Sequence, residues 1–204
     1  MSKDLETVKN YAILSENEKK ALTSRERPMV FVKGSENYPF PDNLTGGLHT
    51  IGVMLPYSPM HYLLFDDSSI DTLVMTSANI PGEPMLIDSN EIINLEVADY
   101  SLVHNRKILN RCDDSVVRFR NDELSFIRRS RGYTPTPVEI CSHYNINDLD
   151  VLSLGPELDV TFSIATKNLV YPSQHIGNTN KFKTLEFLKT AITHLDNILK
   201  ISTY

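Results

Sequence analysis

Asn110-Arg-Cys-Asp-Asp-Ser-Val-Val-Arg-Phe-Arg-Asn-Asp-Glu-Leu-Ser-Phe-Ile-Arg-Arg-Ser-Arg-Gly-Tyr133 is the stretch that decides the fold. Its apolar residues fall into two short runs rather than on a helical stripe. Ser115 to Arg120 and Leu124 to Arg129 therefore read as strands, joined by Asn121-Asp122-Glu123 as a hairpin. Period-two alternation would put Arg129 and Arg131 on one face, with Arg128 and Ser130 on the other. Asp113 and Asp114 stand beside Arg111 just before the first strand. Buried acids need partners, and arginine forks supply bidentate ones.

The charge of the stretch separates it from the rest of the chain. From Arg106 to Arg131 there are eight basic and four acidic residues, a local balance of +4. The whole 204-residue chain carries −6, so the remainder carries −10. A positive island in an acidic chain points to a local anion site. The same residues also fit a solvated strand face, or an exposed basic edge that discourages aggregation.

Working outward, elements of both kinds alternate. Asp4 to Leu22 reads as helix, with Ser15 and Glu18 forming a capping box that opens a second short helix. Pro28 to Lys33 and Thr50 to Leu55 read as strands, and residues 34–47 as loop. Ser58-Pro59 is an N-cap followed by proline at the first helical position, and the helix continues through His61 to Phe65. Asp71 to Met75 reads as a buried strand running into Thr76-Ser77-Ala78-Asn79. Asp88 and Glu91 cap a helix ending near Val97, and residues 100–103 read as strand. The prolines of Tyr133-Thr-Pro-Thr-Pro137 exclude helix, so residues 133–149 read as a linker. Beyond it, Val151–Leu154, Thr161–Thr166 and Leu169–Pro172 are three strands. Leu185, Leu188, Ile192, Leu195 and Leu199 then follow the 3-4-3-4 spacing of an amphipathic helix. Its apolar face is wider than those few strands cover.

Composition excludes several classes of function. The eight glycines are scattered and form neither a Gly-x-Gly-x-x-Gly nor a P-loop lysine motif. Cys112 and Cys141 are the two cysteines, with no Cys-x-x-Cys. That argues against a thiolate zinc finger or a disulfide framework and fits a reducing cytosol. No apolar run is long enough to span a membrane, and the first residues lack the apolar core of a signal peptide. The six histidines lie at no metal-binding spacing, so zinc is not expected in this chain.

Two clusters could carry chemistry. Thr76, Ser77 and Asn79 follow an expected strand end, where α/β sheets bind ligands. Their hydroxyls and amide suit a phosphate, carboxylate or carbamoyl group, though these residue types also form ordinary turns. Around the quoted stretch, Ser115 could offer its hydroxyl and N–H to a phosphate. Arg118, Arg129 and Arg131 could face an anion, while Asp113 and Asp114 could be structural counterions. No Ser-His-Asp set follows from spacing.

The motifs, taken in order, resemble a family. They are Met54-Leu-Pro-Tyr-Ser-Pro-Met-His61-Tyr-Leu-Leu64, Val74-Met-Thr-Ser-Ala-Asn-Ile-Pro-Gly-Glu-Pro84, Ala98-Asp-Tyr100, His104 to Arg118 and Arg128 to Pro135. This order is similar to the YrdC-like domain of the hydrogenase-maturation carbamoyltransferases, the HypF family. Val151 to Leu158, Thr161-Phe162 and Ser173-Gln-His-Ile-Gly177 resemble the opening of that family's next domain, of the ASKHA type. The resemblance implies an α/β chain. Residues 1–139 would be part of an α+β YrdC-like domain, a twisted mixed sheet with flanking helices. Residues 140–149 would be a linker, and 150–204 the start of an ASKHA-type α/β carbamoyltransferase domain.

The implied activity has two stages. Carbamoyl phosphate and ATP, expected with magnesium, give carbamoyl-adenylate with release of pyrophosphate. The carbamoyl group then passes to the C-terminal cysteine of the partner HypE, toward the cyanide ligands of nickel–iron hydrogenase, in the cytoplasm. By the family's motifs Ser77 and Asn79 would hold the phosphate and carbamoyl parts, with Thr76 beside them as a further substrate-binding residue. Ser115, Arg129 and Arg131 would face the nucleotide phosphates, with His61 at the pocket rim and Arg118 a further substrate- or nucleotide-binding residue.

The family's usual chain is longer. Before this region it has an acylphosphatase domain, a cysteine-rich zinc region and the first part of the YrdC-like domain. After it come a histidine metal site and most of an ATP-binding portion. A separate chain supplying those parts is therefore an expected partner. Glu157-Leu-Asp-Val-Thr-Phe162 departs from the Lys-Asn that usually follows Glu-Leu. The competing expectations are an incomplete remnant or partner-binding module, and a divergent YrdC-type module for double-stranded RNA or tRNA. The net charge of −6 counts against RNA.

Overall fold

A computed structural model of the chain describes residues 1–66, 69–140 and 149–203. The chain divides into two compact units: Met1–Met75 with Asp114–Tyr133, and Thr76–Asp113 with Thr134–Tyr204.

The first unit is a five-stranded mixed sheet with helices α1 (Leu5–Lys9), α2 (Glu16–Thr23) and α3 (Pro59–Leu64). Strand β2 (Met29–Gly34) lies at its centre. It pairs antiparallel with β3 (Thr50–Val53) on one edge. On the other edge it pairs parallel with β4 (Val116–Arg120) and antiparallel with the short β1 (Ala12–Ile13). Strand β5 (Glu123–Arg128) completes the hairpin with β4. Asn121 and Asp122, both at positive φ, form its two-residue turn, and such left-handed pairs match the twist of the strands they join. The core collects Val8, Leu22, Val30, Val32, Val53 and Val117, all at most 2% exposed. The local signals hold where they were strongest. Ser15 accepts from the backbone N–H of Glu18, and the Glu18 carboxylate accepts from that of Ser15. Ser58 caps α3 by accepting from the backbone N–H of His61 at 3.3 Å.

In the second unit, strands β6 (Val138–Glu139), β9 (Leu169–Pro172), β8 (Phe162–Thr166) and β7 (Val151–Leu154) form an antiparallel sheet in that order. Phe162, Ile164 and Thr166 are buried on one face of β8. They alternate as a one-sided sheet requires. Helix α5 (Phe182–Leu199) brings Phe187, Leu188, Ala191, Ile192 and Leu195 into the same core as Phe162 and Ile164. A short helix, α4 (Ser89–Ile93), is capped by Asp88.

Several expectations are corrected. The helix expected from Asp4 to Leu22 is interrupted: β1, at Ala12–Ile13, separates α1 from α2. Asp71 to Met75 is not a strand. It makes a single bridge, Ser2 to Thr72, and Val74 is 75% exposed. Residues 100–103 also form no strand, with Tyr100 94% exposed. β-favouring residues without a pairing partner stay irregular. Helix α4 stops at Ile93 rather than near Val97, and Glu96 takes a left-handed φ of 52°. The 133–149 stretch, expected as a linker, includes β6, which pairs with β9; residues 141–148 lie outside the described residues. Leu185 is 37% exposed, so the buried stripe of α5 runs instead through Thr184 and Phe187. Among the described residues no helix is long and apolar enough to cross a membrane.

Candidate functional site

The first unit brings His61, Asp114, Ser115 and Arg131 into one corner. The corner forms where β5 ends at Arg128 and the chain turns from Ser130 to Tyr133, whose N–H donates to the Ser130 carbonyl at 3.1 Å. Because the strand has ended, period-two alternation no longer governs Arg131. Asp114 and Arg131 instead form a parallel bridge, and the Arg131 Nε donates to Asp114 Oδ1 at 2.6 Å. Nη1 donates to the Glu26 carbonyl at 3.1 Å and Nη2 to that of Arg27 at 2.8 Å. The guanidinium lies over the Tyr57 ring, 3.5 Å from its centroid. Tyr57 in turn meets His61 edge to face at 4.5 Å. Three of the five arginine N–H groups thus have acceptors among the described residues, and the Tyr57 side chain also hydrogen-bonds both Asp114 and Arg131.

Ser115 is fully buried. Its hydroxyl donates to the Arg131 carbonyl at 2.9 Å and accepts from the Ser130 N–H at 2.8 Å. Its single hydrogen is therefore spent inside the protein, pinning the backbone that carries Arg131. Gly132 completes the turn at φ +89°. A Cβ there would stand 2.7 Å from the Glu26 carbonyl oxygen, the acceptor that Arg131 uses. Only glycine fits both the dihedral and the space.

Burial sets the electrostatics. It raises the Tyr57 hydroxyl pKa, with the Asp114 charge adding to it. It lowers the His61 pKa below 6.5; Asp114 opposes this, while Arg131 and the Met1 amino group reinforce it. Burial also lowers the Arg129 pKa. Arg118 is exposed on β4, and Asp113 is half-buried in the other unit. A cleft of about 290 Å³ elsewhere in the first unit is lined largely by apolar side chains such as Phe31, Phe40, Ile51 and Met54. It offers an anion little, so the arginine corner is the better candidate.

The other candidate residues belong to the second unit. The Ser77 hydroxyl donates to Asn79 Oδ1 at 2.8 Å. The Asn79 amide nitrogen donates to the carbonyls of Ile80 and Glu83, at 3.2 and 3.3 Å. Glu83 N–H donates to the Ile80 carbonyl, closing a turn with Pro81 and with Gly82 at φ +80°. That is the residue pattern of a type II turn. Glu83 is tied to Lys183 at 2.7 Å, and this bond raises the Lys183 pKa. Arg111 Nε donates to the Met85 carbonyl at 2.6 Å, and its guanidinium lies over Phe187. Asn79 thus shapes the loop and orients Ser77, while Thr76 and Ser77 stay exposed.

Sequence reasoning passed over Tyr57. The available signal was an aromatic residue held between Pro56 and Pro59, directly before the helix that carries His61.

Residues 1–130 match the model of the Sua5/YciO/YrdC family, described as telomere recombination. Residues 147–204 match that of the HypF Kae1-like domain. The chain is 46% identical, over 99% of its length, to the Methanocaldococcus jannaschii protein named "Probable carbamoyltransferase HypF". It is 33% identical over 98% to a carbamoyltransferase HypF of Rhizobium leguminosarum. It spans 26% of the first of these and 27% of the second, about a quarter of such relatives. Among solved structures, HypF of T. kodakarensis superposes with a TM-score of 0.90 at 48% identity, over all of this chain and 26% of that one. A full-length HypF in the phosphate- and nucleotide-bound form gives 0.91 at 33% identity, over 98% of this chain and 26% of that one.

Proposed function

We propose, on the premise that this chain belongs to the HypF carbamoyltransferase family, that it carries part of the site where carbamoyl phosphate, ATP and water give carbamoyl-adenylate with release of phosphate and pyrophosphate. The observation that carries the reading is the Arg131 corner. A guanidinium anchored on three sides sits in a positive stretch of an acidic chain. Adenylate formation calls for alignment and charge neutralisation more than for a covalent nucleophile. A pre-fixed cation supplies both, since little ordering is left to do when the ligand arrives.

In this reading Arg131, with Arg129 and Arg118, faces the nucleotide phosphates. Ser115 acts by pinning the backbone of the corner, and Asp114 by holding the guanidinium. Asp113 is a second counterion. Thr76 and Ser77, oriented through Asn79, take the phosphate and carbamoyl parts. Magnesium would arrive with ATP. Among the described residues no group of three His, Cys, Asp or Glu side chains fits a resident ion, so no step is assigned to one.

The domain layout proposed is a YrdC-like part over 1–139, a linker over 140–149 and the start of an ASKHA-type domain over 150–204. In the cytoplasm that second domain would pass the carbamoyl group to the C-terminal cysteine of HypE, with the remaining parts of both domains completing the sites.

Isothermal titration of the purified chain with ATP and with carbamoyl phosphate tests the reading. Saturable binding of both, weakened by Asn79→Ala with the fold intact, is expected. Affinity unchanged by Asn79→Ala and by Arg131→Ala would remove the assigned pocket. A shift of double-stranded RNA at physiological salt would favour the RNA-binding alternative instead.

A further inference from the structure

Pro56-Tyr57-Ser58-Pro59 holds an aromatic ring between two prolines at the entrance to α3. Proline fixes its own backbone and restricts the residue before it, so Pro56 and Pro59 limit Leu55 and Ser58 on either side of Tyr57. Ser58 caps the helix by accepting from the His61 N–H. Tyr57 and His61, four residues apart, therefore meet edge to face at 4.5 Å with an interplanar angle of 89°. On its face the Tyr57 ring carries the Arg131 guanidinium. Arg131 is fixed in turn by Asp114 and by the carbonyls of Glu26 and Arg27.

One atom of this stack is unusual. His61 Nδ1 is buried and has no hydrogen-bond partner among the described residues, although the residue as a whole is only half-buried. A buried N–H without an acceptor is costlier than a bare ring nitrogen. The imidazole hydrogen therefore belongs on Nε2. Protonation would put a second N–H into the closed side. The charges facing the ring are Asp114, Arg131 and the Met1 amino group. Asp114 already has its countercharge in Arg131.

We propose that His61 is a neutral hydrogen-bond donor, through Nε2–H, to the phosphate-bearing ligand of the Arg131 corner, and that Tyr57 and Arg131 are its positioning residues. The proposal rests on the reading that this corner binds phosphate. Where arginines already match the ligand's charge, a neutral donor adds direction without adding charge. It also keeps its state across the neutral pH range.

The test is nitrogen-15 NMR of the imidazoles in the purified chain, with the His61 signals assigned through His61→Gln and His61→Asn, combined with titration by ATP. At neutral pH the free protein is expected to show His61 uncharged, with its hydrogen on Nε2, and ATP to move the Nε2 resonance more than Nδ1. His61→Gln places an amide near the Nε2 position and keeps ATP affinity within about threefold, whereas His61→Asn loses about tenfold or more. Tyr57→Leu weakens ATP and shifts the His61 titration, and Tyr57→Phe restores both. A purely structural role would lower thermal stability alike in the Gln and Asn variants without separating their affinities. A charged ring, a hydrogen on Nδ1, or equal affinity in wild type, His61→Gln and His61→Asn overturns the proposal. Of these, the tautomer result leaves the phosphate reading standing. Failure of the wild-type chain to bind ATP overturns both.

Discussion

The guanidinium of Arg131 rests 3.5 Å from the centre of the Tyr57 ring while its Nε donates to Asp114 at 2.6 Å. These residues come from three separate segments of the chain, and Ser115 and Gly132 shape the backbone that lets them meet. The corner is therefore both a structural joint and the cationic centre of the candidate site.

Breaking the joint should cost stability. Arg131→Gln leaves Asp114, 28% exposed, without its countercharge and frees two backbone carbonyls. A loss of roughly 2–4 kcal/mol is expected, from several charge-assisted bonds that are only partly screened. Urea denaturation followed by circular dichroism measures it. A midpoint equal to wild type would show that the joint contributes nothing.

Gly132→Ala should fail for a different reason. The residue holds φ +89°, and its new Cβ would press on the backbone of Glu26 at 2.7 Å. The dihedral alone costs about 1–3 kcal/mol, before the clash is relieved. Relief would move the Glu26 carbonyl away from Arg131. The expected signature is a lowered melting temperature together with weaker ATP binding. A variant as stable as wild type would show that the turn is not constrained.

The acid side of the pH–stability profile should contain His61. Burial holds its folded pKa below 6.5, so as pH falls through that value the unfolded chain takes up a proton that the folded chain refuses. Its contribution is intact above 6.5 and is lost as pH drops toward the folded value. His61→Gln should flatten that part of the profile. In NMR titrations Asp114→Asn should lower the His61 pKa further and Arg131→Gln should raise it. Shifts of the opposite sign would refute the assigned surroundings.

The Asn79 loop yields a prediction with little cost to the fold. Asn79→Ala removes three hydrogen bonds from an exposed turn. Global stability should fall by no more than about 1–2 kcal/mol. Affinity for carbamoyl phosphate should drop at least tenfold, because Ser77 loses the acceptor that orients it. Calorimetry with the folded variant reads both quantities. Unchanged affinity would leave the loop as a turn and nothing more.

What could be read in the sequence was local. The Ser15–Glu18 box, the Ser58-Pro59 cap and the β4–β5 hairpin each lie within a short stretch, and all are present; the stripe of α5 is present apart from Leu185. Asp71–Met75 and residues 100–103 failed because strand formation depends on a pairing partner that no local pattern reveals. Strand β6 was hidden for the converse reason: two residues next to prolines pair with β9, some thirty positions away. At the site, charge pointed to the arginines and motif order to the family. The committed state of Ser115 and the stacking of Tyr57 arise only when distant segments close.

The most direct measurement is carbamoyl-phosphate-dependent ATP–pyrophosphate exchange in a chimera, with this chain replacing the corresponding quarter of the T. kodakarensis HypF it superposes on. The parent protein serves as reference. The account predicts exchange within about tenfold of the parent, dependent on carbamoyl phosphate, and abolished by Asn79→Ala or Arg131→Ala. A folded chimera without exchange, beside an active parent, would contradict it.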